Sequence, residues 1–256
     1  MKEKSLTLAV ETSSRIGSVA IALNGKILGE TVFSAPLRHS VEIFPAIREL
    51  LNKFNLKPSQ IEHIYISGGP GSFTGLRIAT TLAKTMQLAH AAKIVTVDTL
   101  DVVAANVVNL IPENTFSASN HKLPVMDVER VAAVLDAKRG QFFIAGYERD
   151  TDRERNAAGR EIWKKILPDS LMTISQFHDM FACEDKPIRL LGDGLLYYKD
   201  KFQAGGVHFF HEKYWSPRAG KVLLLGRQMA LKEQFADALT LTPNYLRKPD
   251  ITIKSR

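Results

Sequence analysis

Residues Leu6–Phe33, LTLAVETSSRIGSVAIALNGKILGETVF, hold three strand-like runs in close succession. Leu6–Glu11 and Gly17–Leu23 are rich in alternating and β-branched residues, Asn24-Gly25 is a two-residue hairpin turn, and Lys26–Phe33 returns along the second run. The chain therefore opens as an antiparallel three-stranded meander. After it the period changes from two to about 3.6. Between Ser40 and Phe54 the residues Ile43, Phe44, Ile47, Leu50, Leu51 and Phe54 recur at helical spacing, with Pro45 fixing or kinking the first turn. A short apolar strand follows at Ile61–Ser67, then a Gly-rich loop, a helix from about Thr74 to Ala91, a strand at Ile94–Val97 and a helix at Thr99–Leu110.

The order β-β-β-α-β-α-β-α fits an α/β layer of ribonuclease-H type. From Pro112 to Asp127 the pattern gives way to Pro, Asn, Ser and His, which reads as a boundary between lobes at 1–112 and 128–256. Val131–Asp136, a polar turn at Ala137–Gly140 and Gln141–Tyr147 then echo the opening: strand, acidic residue, polar turn with glycine, strand. A duplicated β-β unit is what an actin-like or sugar-kinase-like fold contains. The expectation is an α/β, actin-like (ASKHA, ribonuclease-H-like) protein of two lobes, with duplicated mixed sheets flanked by helices. Residues 151–170 are charged and read as irregular. Later elements are a helix near Ile174–Phe181, a strand at Ile188–Leu191 running into Gly192-Asp193-Gly194, and a helix at 217–235 that either lobe could accept.

The composition is that of a soluble globular chain: 256 residues, 45% hydrophobic and 24% charged. No run of ~18 apolar residues suggests a membrane span, and no signal-peptide core precedes the first strand, so a cytoplasmic protein is expected. Cys183, the sole cysteine, excludes an internal disulfide and is read as a small buried hydrophobe. A net charge of +7 favours polyanions without naming one. Arg247, Lys248, Lys254 and Arg256 form a basic end, read as solvated.

The loop Gly68-Gly69-Pro70-Gly71-Ser72-Phe73-Thr74-Gly75 gives two readings. Backbone freedom next to a helix N-terminus could hold a phosphate, or the glycines could let strand and helix approach a neighbour closely. It is neither a Walker A loop, since Leu76-Arg77 follows Gly75, nor a dinucleotide fingerprint, since Gly75 comes one residue late. Ser72 has no nucleophile-elbow context. His39 has Ile43 four residues on, so no histidine pair shares a helix face for a metal, and no metal site or catalytic residue is assigned. Glu11 and Asp136 could pair as magnesium-holding carboxylates with Asp193 near an adenosine, although each acid also suits a turn.

The run SGGPGSFTGLRIA at Ser67–Ala79 resembles the signature of the TsaB (YeaZ) family. Further motifs that resemble the family are VETSSRIGSVAI at the start, RHSVEIFPAI at Arg38–Ile47, LDAKRGQFF at Leu135–Phe143 and TPNYLR at Thr242–Arg247. Glu11 stands where the family usually has Asp, Ala79 where Gly is common, and Lys138 in place of Arg. The resemblance implies a non-catalytic partner of TsaD and the ATPase TsaE in forming N6-threonylcarbamoyladenosine in tRNA. Under it, tRNA is met only through the complex, no cofactor is tightly bound, and ATP or ADP enters only within the assembly. Weak nucleotide contacts fall on Glu11, Thr12, Ser13, Asp136, Lys138, Gly192 and Asp193. The partner interface falls on Ile43, Ile47, Leu50, Leu51 and Phe54 of one helix and Ile78, Ala79, Leu82, Ala83 and Met86 of the next, with outer rows that include Leu51 and Ala83 left exposed. The same patch would form a homodimer when TsaD is absent. The alternative is an enzyme, either an actin-fold ATPase or phosphotransferase or a metallopeptidase-like protein.

Overall fold

Strand β1 (Leu6–Glu11) is buried along its whole length and stands at the centre of the first sheet. Both its faces must then be covered, which explains why it reads as an almost unbroken apolar run. The structure, a computed structural model, describes residues 5–108, 128–150 and 162–247. β2 (Ser18–Leu23) pairs antiparallel to β1 with Leu6 opposite Leu23 and Glu11 opposite Ser18, and β3 (Lys26–Val32) forms the edge. Between them Asn24 and Gly25 take positive φ, as a tight hairpin turn requires. β4 (Ile61–Gly69) runs parallel to β1, and β5 (Lys93–Asp98) parallel to β4, giving the order β3-β2-β1-β4-β5.

The second sheet repeats this plan. β6 (Arg130–Asp136) is central, antiparallel to β7 (Gln141–Asp150) and parallel to β9 (Ile188–Leu191). β8 (Ile162–Thr173) and β10 (Val207–Phe209) complete the order β8-β7-β6-β9-β10. The expected duplicated, actin-like two-lobed α/β fold is therefore the observed one. β8 corrects the reading of 151–170 as irregular. Its inward positions, Trp163, Lys165 and Leu167, alternate with outward Lys164, Ile166 and Pro168, and a lysine facing inward hides the period. The supposed lobe boundary at 112–127, the end of the helix expected to reach Leu110, residues 151–161 and the basic end beyond Arg247 lie outside the described residues.

The alternation along β1 and β2 sorts the helices. Leu6, Leu8, Val10, Val19 and Ile21 face one way, against α1 (His39–Lys53) and α2 (Phe73–His90). The small residues Ala9, Ala20 and Ala22 face the other way and admit α5 (Ala219–Leu231) with α3 (Thr99–Ala104) through Val222, Leu223, Val102 and Ala105. The last helix thus covers the first lobe's sheet. The second lobe is packed by an aromatic group in which Phe142 meets Phe202 at 4.9 Å and Phe177 of α4 (Ile174–Phe181) meets Phe202 at 5.4 Å. At the rear the lobes are tied by Lys165, whose ammonium lies 2.8 Å from Asp101 and 2.5 Å from Asp169, while the Tyr147 hydroxyl donates to Asp101.

Two expectations are corrected by burial. Ile43, Ile47, Leu50, Leu51, Ala79, Ala83 and Met86 point into the first core, Leu51 being 1% exposed and Ala83 fully buried. Phe54, Ile78 and Leu82 are half-buried against the same core. Helical spacing shows that a helix has an apolar stripe but not how wide a stripe the sheet covers, and here the sheet and α2 cover both rows. The apolar residues that α1 turns outward are Val41 and Phe44, 58% and 59% exposed. Cys183 is exposed, not buried, because it follows α4 in a surface turn. Leu51→Ala should lower the unfolding free energy by about 2–5 kcal/mol in urea denaturation; an unchanged midpoint would contradict its place in the core.

Candidate functional site

A cleft of about 710 Å³ opens between the lobes, lined by the turns that follow the central strands. Its first-lobe wall is built on Glu11. The carboxylate is wholly buried and accepts from the Ser13 amide at 2.6 Å, the Ser13 hydroxyl at 2.5 Å and the Ser67 hydroxyl. Burial pushes its pKa above the ordinary carboxylate value, and these three donors oppose the shift. The rest of the turn hangs between two helix N-termini. Ser13 O accepts from the Ser72 amide at 2.6 Å, Thr12 Oγ1 donates to Gly75 O at 2.8 Å, and His39 Nε2 donates to Ser14 O at 2.9 Å. Desolvation lowers the His39 pKa, and the bond to Ser14 O opposes the shift. His39 is therefore a buried helix-start residue.

These contacts decide the role of the Gly-rich loop. A Cβ at Gly75 would lie 1.7 Å from Thr12 O, so the glycine serves close approach to the turn. Ser72 is the N-cap of α2 and its hydroxyl accepts from the Gly75 amide at 3.3 Å. With the Ser72 amide on Ser13 O, the helix N-terminus grips protein backbone, which favours the close-approach reading of the loop.

The second lobe repeats the device in a more open form. Asp136 accepts from the Lys138 amide at 2.7 Å and pairs with the Lys138 ammonium at 2.6 Å, the same i to i+2 contact that Glu11 makes with Ser13. Beside it, Gly192 takes φ 125°, and a Cβ there would meet Val134 O at 2.0 Å. Asp193 accepts from the Arg15 amide at 3.3 Å across the cleft. Burial above all, with the Asp136 charge adding to it, pushes the Asp193 carboxyl up to about 6. Of the seven residues expected to touch nucleotide, Ser13, Asp136, Lys138 and Asp193 line the cleft, whereas Glu11, Thr12 and Gly192 do not.

The actin-like fold implies a nucleotide here, and the first-lobe turn does not fit one. The Ser13 amide that would meet a phosphate is held by the Glu11 carboxylate, and Thr12 and Ser13 are 1% and 2% exposed. Among the described residues, no group of three or more His, Cys, Asp or Glu stands close enough to hold a metal ion. No described helix is long and apolar enough to cross a membrane.

Several residues of the site were not singled out by sequence. Ser67 reaches Glu11 across 56 positions of chain. The segment 242–247 is a strap across both lobes: the Asn244 amide donates to Gly68 O at 2.7 Å, Tyr245 packs on Phe73 at 5.0 Å, and Arg247 donates to Ala137 O, to Lys138 O at 3.2 Å and to Gln141. TPNYLR was visible as a motif, but only its position between the lobes shows what it does. Arg15 and Tyr197 form a further bridge, the guanidinium 5.1 Å from the ring centroid and bonded to its hydroxyl.

Comparison with known proteins agrees with this architecture. A family profile described as "TsaD: tRNA N6-adenosine threonylcarbamoyltransferase" matches residues 33–254. The chain is 26% identical to the tRNA threonylcarbamoyladenosine biosynthesis protein TsaB of Bacillus subtilis over 250 residues, 96% of each chain. It is 27% identical to TsaB of Escherichia coli over 240 residues, 94% of each. The solved structure of YeaZ from Pseudomonas aeruginosa superposes with a TM-score of 0.73 at 21% identity, covering 94% of this chain and all of that one.

The Asp193 carboxyl holds its proton to a higher pH in the folded chain than in the unfolded one. Between the ordinary Asp pKa and about 6 the unfolded state gives up this proton before the folded state does, so the group's stabilising effect is lost as pH rises through that window. Asp193→Asn keeps an acceptor for the Arg15 amide and should be more stable than the parent by about 1–3 kcal/mol at pH 7.5, with the gap closing toward pH 4. Denaturation at the two pH values measures this; a variant less stable at pH 7.5 would contradict it.

Proposed function

Because this chain belongs to the threonylcarbamoyltransferase family that the profile defines, and within it to the TsaB (YeaZ) proteins, we propose that it is a non-catalytic partner subunit in the formation of N6-threonylcarbamoyladenosine in tRNA. Its partners in this reading are TsaD, through a direct heterodimer, and TsaE, acting in the cytosol on tRNA. The observation that carries the non-catalytic part is the first-lobe turn, where Glu11 holds the amide that a phosphotransferase would turn toward phosphate. ATP or ADP then acts in the assembled complex, not on a site this chain completes alone. No feature of the cleft favours the phosphotransferase or metallopeptidase alternative.

The surface proposed for TsaD is the outer face of α1. Val41, Phe44 and Pro45 are exposed there, Leu37 just before the helix is 71% exposed, and Ile78 and Leu82 of the adjoining α2 remain half-open. Apolar side chains grouped on one helix face are the kind of surface that association covers. A homodimer through the same face would compete with the heterodimer, because both bury one surface.

Phe44→Glu and Val41→Glu should each abolish association with a TsaD-type protein, and homodimerisation, in light scattering of mixed samples, while leaving the far-UV CD spectrum unchanged. Normal association of both variants would show that another face is used. These positions replace Leu51 and Ala83, where a charge would strike the core.

A further inference from the structure

The mouth of the inter-lobe cleft carries a chemistry that the partner role does not use. Arg15, Lys138, Arg139 and Arg247 line it against two acids, Asp136 and Asp193. Arg247 donates to two carbonyls and an amide oxygen, and the Arg15 guanidinium to a phenol, so neither side chain is hydrogen-bonded to a carboxylate, whereas Lys138 is paired with Asp136. Two cation–aromatic stacks border the same opening. On one side Arg15 lies over Tyr197, a residue 68% exposed. On the other, Arg77 sits 4.0 Å from the Phe73 centroid, and Phe73 in turn packs on Tyr245. Cations interleaved with aromatic rings bind single-stranded nucleic acid, because every base offers a π face and every linkage a negative charge.

The same cleft is poorly made for a nucleoside triphosphate. The Ser13 amide is held by Glu11, and the Lys138 amide by Asp136, so neither of these two donors is turned toward a phosphate chain. A phosphodiester strand needs no such cradle. Dispersed cations and stacking platforms are enough, and these are what the opening presents.

We propose that the mouth of the inter-lobe cleft binds a single-stranded segment of RNA directly, with bases stacked on Tyr197 and Tyr245 and phosphates drawn to Arg15, Arg77 and Arg247. The proposal deepens the reading of the chain as part of a tRNA-modifying assembly, and rests on it for the strand being RNA. The test needs no partner protein, so its failure is distinct from a failure to associate with TsaD.

The full chain is titrated into a fluorescein-labelled, unstructured RNA of roughly 12 nucleotides, read by anisotropy. Saturable binding is expected, with a log–log salt slope of about −2 to −3, as roughly three or four phosphate contacts give. Tyr197→Ala should weaken binding about tenfold, and Tyr197→Phe should restore most of it, since stacking needs the ring and not the hydroxyl. Arg77→Glu should weaken it by about tenfold or more and flatten the salt slope by about one contact. Lys53→Glu, about 20 Å from the cleft at the far end of α1, should stay within about twofold of the parent. Millimolar ATP should not displace the RNA. Absence of salt-dependent binding, parental affinity in both Tyr197→Ala and Arg77→Glu, or displacement by millimolar ATP would overturn the proposal, the last pointing to a mononucleotide site.

Discussion

A carboxylate with no access to water, placed at the end of the central strand of the first sheet, must find donors inside the protein. Glu11 finds three, on Ser13 and Ser67, and so joins the end of β1 to the end of β4. That bond fixes the turn over Thr12–Ser14, which aims the Ser13 and Ser14 carbonyls at the N-termini of α2 and α1. The two helices that cover one face of the sheet are thereby registered to the strand they follow. The glycines of the loop before α2 are a consequence, because any Cβ at Gly75 would strike the turn that Glu11 holds.

The second lobe shows what the same plan looks like when it is not sealed. Asp136 also caps its own turn, but with a lysine at the exposed rim and with Asp193 half-buried opposite. One lobe has spent its turn on internal bonding and the other keeps it at the cleft. This asymmetry between duplicated sheets is what the proposal of a partner subunit rests on. It also leaves the mouth of the cleft, with its cations and rings, available for a different ligand.

Much of the fold was legible in the sequence because it follows from side-chain period. Alternation and the Asn24-Gly25 turn mark the meander, and the echo at Val131–Tyr147 marks its duplicate. β8 was not legible, since Lys165 faces inward to meet Asp101 and Asp169, contacts that lie in the fold and not in the local pattern. The core and outer rows of α1 were confused for a similar reason. A helical period cannot tell that the sheet and α2 together reach Leu51 while Phe44 stays in solvent. At the site, the acids Glu11, Asp136 and Asp193 were visible as candidates, but Ser67 as the partner of Glu11 and Arg247 as the tie between lobes depend on long-range packing alone.

In the first-lobe turn the Glu11 carboxylate occupies the Ser13 amide that a phosphate would meet. Calorimetric titration of the isolated protein with magnesium and ATP tests that occupancy directly. A sealed turn predicts no saturable heat at ATP concentrations below about a millimolar, the weak-binding end of the affinity scale. Stoichiometric binding at about a micromolar would mean that Glu11 releases the Ser13 amide to the nucleotide, and would contradict the account.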